Sequence, residues 1–280
     1  MIDIGPLLVD ADWLASHPEV VLVDLRWYLD GRSGRDAFVN RHLPGAIFID
    51  LAVALSAAGP ATHGRHPLPT PEAFSATLAA NGIGAHTQVV AYDDSGGGTA
   101  GRFVIMLRSI GRRAALLDGG IKSWAGPFET GPGLPSTPVA AVTPIPWPTS
   151  FIATNEGLDT ALEQPGVVLV DARAVERFRG EDEPIDRVAG HIPGAVNLPV
   201  SDVIDPDTGR YRTPDQLRSR FASRGIDEAT SVIASCGSGV SACADLVALE
   251  LAGFGPGRLF VPSWSGWSAD HSRPVAQGAQ

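Results

Sequence analysis

The sequence predicts an α/β protein built from two tandem copies of one domain, each a mostly parallel sheet flanked by helices. Three observations predict this. A set of segments occurs twice in the same order, β-branched runs alternate with helix-like runs inside each copy, and a proline-rich stretch separates the copies.

The repeat begins with VVLVDLR at 20–26, which returns as VVLVDAR at 167–173. HLPGA at 42–46 returns as HIPGA at 191–195, and TPEAFSATLAANGI at 70–83 as TPDQLRSRFASRGI at 213–226. QVVAYDDSGGGTA from Gln88 aligns with SVIASCGSGVSA from Ser231, and the copies close at Trp124 and Trp267. The offset stays between 143 and 149 residues, too long for a solenoid repeat and right for a duplicated domain. VVLVD and SVIAS are short apolar runs bounded by turn residues, which predicts buried parallel strands. The segments from Thr70 and Thr213 each carry an N-cap threonine and a proline at the first helical position. They predict helices ending at Asn81-Gly82 and Arg224-Gly225. Six prolines among the 20 residues 131–150 mark a semi-extended surface linker. The expected division is therefore a first domain over 1–130, a linker over 131–150 and a second domain over 151–280.

Composition narrows the function classes. A net charge of −10 argues against nucleic acid or an anionic membrane as partner, since both need a clustered positive field. No window of 18 apolar residues suggests a transmembrane helix, and the first residues lack the basic and apolar regions of a secretory signal. Two cysteines seven positions apart do not staple a fold of 280 residues, which points to a reducing, cytoplasmic setting. Lys122 is the single lysine among 21 basic residues, a bias that hints at a GC-rich bacterial genome. No metal cluster is visible: His63 and His66 are the only close histidine pair, with no cysteine near them. The glycine-rich DDSGGGTAGR at 93–102 matches neither phosphate-binding pattern, so no cofactor is expected.

The duplication separates scaffold from chemistry. Asp24 and Asp171 end the first repeated strand, and His42 and His191 open the H-[LI]-P-G-A turns; shared residues are read first as structural. Cys236, by contrast, aligns with Asp93, and Arg177 aligns with Asp30, while Arg179 has its match in Arg32. Arg187 has no basic counterpart. The second copy thus holds a thiol and two unmatched arginines, the pattern of an active half beside a silent one. Cys236 follows a strand and precedes a helical run, with Gly237 and Gly239 between them. Inward N–H groups and a helix N-terminus at such a junction can hold an anion, including a thiolate or a persulfide. The alternative is a small buried hydrophobe at a strand end. Cys243, among Ala242, Ala244 and Leu246, reads as core, with a disulfide to Cys236 as an oxidised alternative.

These motifs together, two H-[LI]-P-G-A copies and CGSGVSA at 236–242, resemble the two-domain rhodanese-type sulfurtransferases over nearly the whole chain. The loop is most similar to that of 3-mercaptopyruvate sulfurtransferases. The resemblance implies a silent first domain and a Cys236 persulfide that passes sulfur to a thiol, such as thioredoxin, or to cyanide. It implies a cradle of Gly237, Ser238, Gly239, Val240 and Ser241, with Ser238 helping to activate the thiol. It also implies donor binding by Arg177, with Arg187 as second clamp, and Asp36 and His42 as partners of the loop serine. Pro262 stands where the family often has glycine before S-W-S, which puts the local loop path in question. Neutral Gly237 and Ser238 favour 3-mercaptopyruvate over dianionic thiosulfate. A C-x5-R phosphatase is disfavoured because Ala242 stands where the phosphate-binding arginine would be. A non-catalytic sulfur-carrier or binding module is the remaining alternative.

Overall fold

The computed structural model describes residues 4–133 and 137–279; residues 1–3, the linker residues 134–136 and Gln280 lie outside the described residues. The chain forms two compact units whose membership differs from a simple cut at the linker. One unit comprises the chain up to Ala57, Leu68–Trp147 and Asp207–Arg210. The other comprises Ala58–Pro67, Pro148–Pro206 and the chain from Tyr211 onward. Each copy therefore gives up one short segment, in the same place in its chain order, to the compact unit of the other copy.

The first unit holds strands β1 (Leu8–Val9), β2 (Val21–Asp24), β3 (Ile47–Phe48), β4 (Val89–Tyr92) and β5 (Ala114–Leu117). Its helices are α1 (Ala11–Ala15), α2 (Gly34–Asn40), α3 (Leu51–Ala54), α4 (Pro71–Ala80) and α5 (Gly98–Ser109). The second unit repeats the plan with β6 (Ile152–Ala153), β7 (Val167–Asp171), β8 (Val196–Asn197), β9 (Ser231–Ser235) and β10 (Arg258–Phe260). Its helices are α6 (Asn155–Leu162), α7 (Val175–Arg179), α8 (Val200–Val203), α9 (Pro214–Ala222), α10 (Ala242–Leu251) and α11 (Ser263–Trp267). The sheet orders are β1-β5-β4-β2-β3 and β6-β10-β9-β7-β8, and every ladder in them is parallel. Strands β4 and β5 are buried along their whole length, as parallel strands covered on both faces must be.

The helix signals act as their chemistry requires. The Thr70 hydroxyl accepts from the Ala73 amide at 3.2 Å, and Thr213 forms a reciprocal capping box with Gln216. Asn81 caps α4 and Gly82 follows with φ 75°. Helix α9 stops at Ala222, two residues before the expected Arg224, and Gly225 then takes the left-handed turn at φ 72°. The linker residues from Thr137 to Pro146 are mostly exposed and carry no helix or strand. Trp147 anchors its end to the first unit by donating to the Pro69 carbonyl at 2.8 Å and packing on Phe74.

One ion pair is built identically in both units. Arg26 wraps the carboxylate of Asp24, at 2.7 Å from one terminal nitrogen, and donates to the Arg41 carbonyl. Arg173 does the same with Asp171 at 2.8 Å and with the Gly190 carbonyl. All four side chains are buried, so each fixes the loop after the first repeated strand to the turn before H-[LI]-P-G-A. A buried pair of this kind serves position rather than stability, since desolvation offsets most of its attraction.

Asp245 in α10 is the exception to this pairing. It is buried, and neither carboxylate oxygen has a hydrogen-bond partner among the described residues. Burial pushes its carboxyl well above the ordinary range, with Asp171 and Asp202 adding to the effect. The unfolded chain therefore releases a proton that the folded chain retains, and stability falls as pH rises above the unfolded carboxylate range. Asp245→Asn is expected to raise the unfolding midpoint at pH 7–8, with the gain over wild type shrinking to nothing near pH 4, as thermal denaturation across that range will show.

Candidate active site in the second unit

In the second sheet the chain runs from β7 to β8 on one side, then to β9 and β10 on the other. The loops after β7 and β9 therefore diverge at their carboxyl ends, which is where open parallel sheets make room for a ligand. Cys236 is the first residue past β9. Its amide donates to the Ser263 hydroxyl at 3.1 Å, and that hydroxyl donates on to the Phe260 carbonyl. The Cys236 and Gly237 carbonyls accept from the amides of Trp264 and Ser265, both at 2.9 Å. Ser263 holds this post at φ 52°, the one non-glycine residue at positive φ among those described. The loop path that Pro262 put in question is thus fixed: Pro262 stays at φ −60°, and Ser263 makes the bend. Gly64 packs on the Pro262 carbonyl, where any Cβ would collide.

The corresponding loop of the first unit shows what its amides do. Asp93 occupies the place of Cys236, and its carboxylate accepts from the amides of Ser95, Gly97, Thr99 and Ala100 and from the Thr99 hydroxyl. All five distances lie between 2.9 and 3.1 Å. The backbone frame is shared in part, diverging at Gly97, whose φ of 81° is not matched by its counterpart Val240. Gly96 and its counterpart Gly239 have φ 80° and 73°, and the Asp93 carbonyl accepts from Ile121 as the Cys236 carbonyl does from Trp264. The strand-loop-helix junction is therefore an anion cradle, and in the first unit the chain's own carboxylate fills it.

After Cys236 the loop runs through Gly237, Ser238, Gly239 and Val240, all buried, with Ser241 half-buried at the start of α10. Cys236 itself is 1 % exposed. Ser238 meets His66, whose Nδ1 lies 2.9 Å from its hydroxyl, and both side chains are buried. Arg177, at the end of α7, grips Glu183 with Nε and one terminal nitrogen, at 2.7 Å for the shortest bond, and reaches Asp186 at 3.2 Å. Burial alone would raise the Glu183 carboxyl, but Arg177 and the amides of Asp186 and Ile185 hold it below its usual range. Arg65 also pairs with Asp186, and its amide donates to the Ser265 hydroxyl at 3.1 Å. Burial pushes the Asp186 carboxyl up, with the Arg65 charge opposing it. A Cβ on Gly237 would lie 2.9 Å from a terminal nitrogen of Arg65 and 3.6 Å from both of Arg177, so two guanidinium groups face the residue after the cysteine.

The remaining expected site residues fall elsewhere. Arg187 is exposed and makes no hydrogen bond or ion pair among the described residues; the same turn directs Asp186, not Arg187, toward Arg177. His42 stacks on Phe38 at 3.9 Å and places Nδ1 2.8 Å from the Phe38 carbonyl. His191 repeats this with Phe178 at 3.7 and 2.7 Å. Asp36 is exposed in the first turn of α2, where its amide donates to the Ser33 cap. The imidazole on Ser238 belongs to His66, and the second guanidinium near the cysteine loop to Arg65. Both lie in Ala58–Pro67, a stretch of the first copy that packs into the second unit. The sequence held one signal for them: Gly64-Arg65 returns as Gly209-Arg210 at an offset of 145, but Tyr211 stands opposite His66, so the imidazole is unshared while the arginine is not. Cys243 is buried, with its thiol toward the Gly239 carbonyl at 3.7 Å, and both cysteines are free.

Comparison with known proteins finds the same duplicated plan. The chain matches the Rhodanese-like domain family over residues 10–127 and again over 154–270. It is 43% identical to a probable 3-mercaptopyruvate sulfurtransferase of Pseudomonas aeruginosa, over 94% of each chain. It is 38% identical to a putative thiosulfate sulfurtransferase of Mycobacterium tuberculosis, over 98% of each. The solved 3-mercaptopyruvate sulfurtransferase from Leishmania major superposes with a TM-score of 0.83 at 29% identity, covering 97% of this chain and 76% of that one.

The filled cradle carries a stability prediction. Asp93→Ala leaves four amides without their acceptor, and is expected to lower unfolding stability by at least about 2 kcal/mol in denaturant titration.

Proposed function

Because the chain belongs to the rhodanese-like domain family, we propose that it is a sulfurtransferase carrying sulfane sulfur from 3-mercaptopyruvate, through a persulfide on Cys236, to a thiol or cyanide. The observation that supports this most is the cradle. The first unit holds an anion on its loop amides, and the second places a cysteine at the same backbone position. A persulfide is the anion that such a cysteine would carry.

The chemistry runs on residues already placed. The Cys236 thiolate attacks the sulfur of the donor, the carbon–sulfur bond breaks, and its electron pair stays on carbon as the enolate of pyruvate. The enolate then takes a proton, and the persulfide, having lost the donor's thiol proton, sits as an anion on the amides of residues 238–242. His66 and Ser238, joined at 2.9 Å, are the pair we assign to that proton transfer. A hydroxyl and an imidazole can pass a proton without leaving a charge stranded in a buried site. Arg177 keeps one terminal nitrogen toward Gly237 while Glu183 holds the rest of its fork, which suits it to a planar α-keto carboxylate. Neutral Gly237 and Ser238 add no charge to the loop, in keeping with a monoanionic donor. We assign His42 and His191 to the scaffold, given their identical stacking in both units. The acceptor class follows from the product: a persulfide yields its outer sulfur to a soft nucleophile, such as the thiolate of thioredoxin or cyanide. Both cysteines are free, which fits work in a reducing cytoplasm.

Intact mass spectrometry after incubation with 3-mercaptopyruvate is expected to show a gain of one sulfur atom with release of pyruvate in the wild type, and neither in Cys236→Ser. An unchanged wild-type mass would leave the carrier or binding-module reading in front. His66→Ala is expected to lower kcat/KM about 100-fold or more while leaving the fold intact by circular dichroism. His42→Asn is expected to cost stability instead, with kcat/KM changed less than about fivefold.

A further inference from the structure

Asp245 sits in the first turn of α10, the helix that follows the cysteine loop, and is 2 % exposed. Neither carboxylate oxygen has a hydrogen-bond partner among the described residues. The elements packed on α10 are α8, α9, β9 and β10, and none of them offers it a cation. Helix α8 brings Asp202, already paired with Arg224 at 3.2 Å, and the end of β7 brings Asp171, already held by Arg173. Helix α9 turns Leu217 and Phe221 inward and keeps Asp215, Arg218 and Arg220 exposed. Strand β9 has no titratable side chain, and β10 carries Arg258 at its opening residue. On α10 itself Cys243 is buried, and Glu250 is half-buried near the far end. The turn that holds Asp245 is weakly anchored. Ser241 gives α10 no side-chain cap, and the first amides bond only three residues back, Cys243 to Val240 at 3.0 Å and Ala244 to Ser241 at 2.9 Å. At the same helix position the first unit has Arg102, also buried, which donates to the Leu55 carbonyl at 3.0 Å. A guanidinium keeps its charge at every working pH, whereas a carboxyl can change its own. The silent unit thus holds a fixed charge where the cysteine unit holds a switchable one.

We propose that Asp245 is a pH-operated latch on the cysteine loop: protonated, it lets the first turn of α10 close; ionised, it opens that turn and takes the Ala242 amide away from the loop. That amide is the counterpart of the Thr99 amide, which donates to the Asp93 carboxylate at 3.1 Å in the first unit. It lies three residues before Asp245, less than one helical turn away. Ionising a buried carboxylate that has no partner is strongly unfavourable. Opening an uncapped helix end is easier than unfolding the whole unit. The charge is therefore relieved by turning the acid out to water while the rest of the unit stays folded. Burial, with Asp171 and Asp202 adding to it, pushes the Asp245 carboxyl well above the ordinary range. The latch is accordingly closed while the acid holds its proton, and opens as pH rises through the raised value of the folded carboxyl. The proton goes to solvent and returns when pH falls. The consequence for catalysis rests on the sulfur-transfer reading above; the latch itself does not.

The test compares wild type with Asp245→Asn, which keeps the shape and cannot ionise, and with Asp245→Leu, which is uncharged and apolar, so that a packing fault in one variant does not decide the result. With 3-mercaptopyruvate as donor and cyanide as acceptor, kcat/KM is expected to agree within about threefold among the three proteins at about pH 6. By about pH 9.5 it is expected to fall at least about tenfold further in the wild type than in the variants, and to recover when the pH is returned to about 6. Hydrogen exchange over residues 240–246, read by mass spectrometry, follows the turn without turnover. Protection is expected to be equal at about pH 6, and at about pH 9.5 to be at least about tenfold lower in the wild type than in the variants. Superimposable pH profiles of kcat/KM, or equal protection at the higher pH, overturn the proposal. A wild type that transfers no sulfur defeats the sulfur-transfer reading alone. The exchange comparison then still decides the latch, and equal protection in the three proteins overturns it.

Discussion

Convergence of backbone amides on the side chain that follows a central strand is the constraint from which the rest of this structure follows. A parallel strand that ends inside a sheet must hand its chain to a helix through a tight loop, and the first helical amides then lack partners. An anion at the loop's first side chain satisfies them. In the first unit the chain supplies that acceptor itself, as the Asp93 carboxylate. In the second unit the position holds Cys236, whose sulfur is both a candidate anion and a nucleophile. One backbone device thus serves as a structural plug in one copy and as the proposed reaction centre in the other.

The surroundings of the cysteine are arranged to keep that loop still. Ser263 accepts the Cys236 amide from a left-handed conformation, and the first amides of α11 hold the two carbonyls that follow. Holding a serine at positive φ costs on the order of 1–3 kcal/mol, a strain that persists only where neighbours fix it. Beyond the loop, a ladder of charge runs from Asp171 to Arg173, Glu183, Arg177, Asp186 and Arg65. Asp171 and Arg173 are inherited from the repeated scaffold, since Asp24 and Arg26 form the same pair in the first unit. The members added beyond them belong to the second unit. The scaffold pair thereby orients the guanidinium groups through Glu183.

Much of this was legible in the chain. The duplication, the parallel strands ending at Asp24 and Asp171, the capped helices after Thr70 and Thr213, and the position of Cys236 at a strand-loop-helix junction all follow from local pattern. The repeat also separated scaffold from chemistry in the case of His191, whose stacking on Phe178 is the twin of His42 on Phe38. What local pattern could not give was membership. His66 and Arg65 stand more than 150 residues before Ser238 in sequence and belong to the same compact unit. A reading that cuts the chain at the linker assigns them to the wrong half, and so looks to His42 for the imidazole and to Arg187 for the second cation. Asp186 and Glu183 were passed over for a different reason. Acidic residues beside arginines look like solvated surface until the fold buries them, and burial is a tertiary property.

The central claim, that the loop amides after β9 hold an anion on the Cys236 sulfur, is tested most directly by a crystal structure of the protein after reaction with its sulfur donor. The account predicts a terminal sulfur on Cys236 within hydrogen-bonding reach of several amides of residues 238–242, placed as the Asp93 carboxylate is in the first unit. A persulfide turned away from those amides, or a loop whose amides point outward when the sulfur is bound, would contradict it.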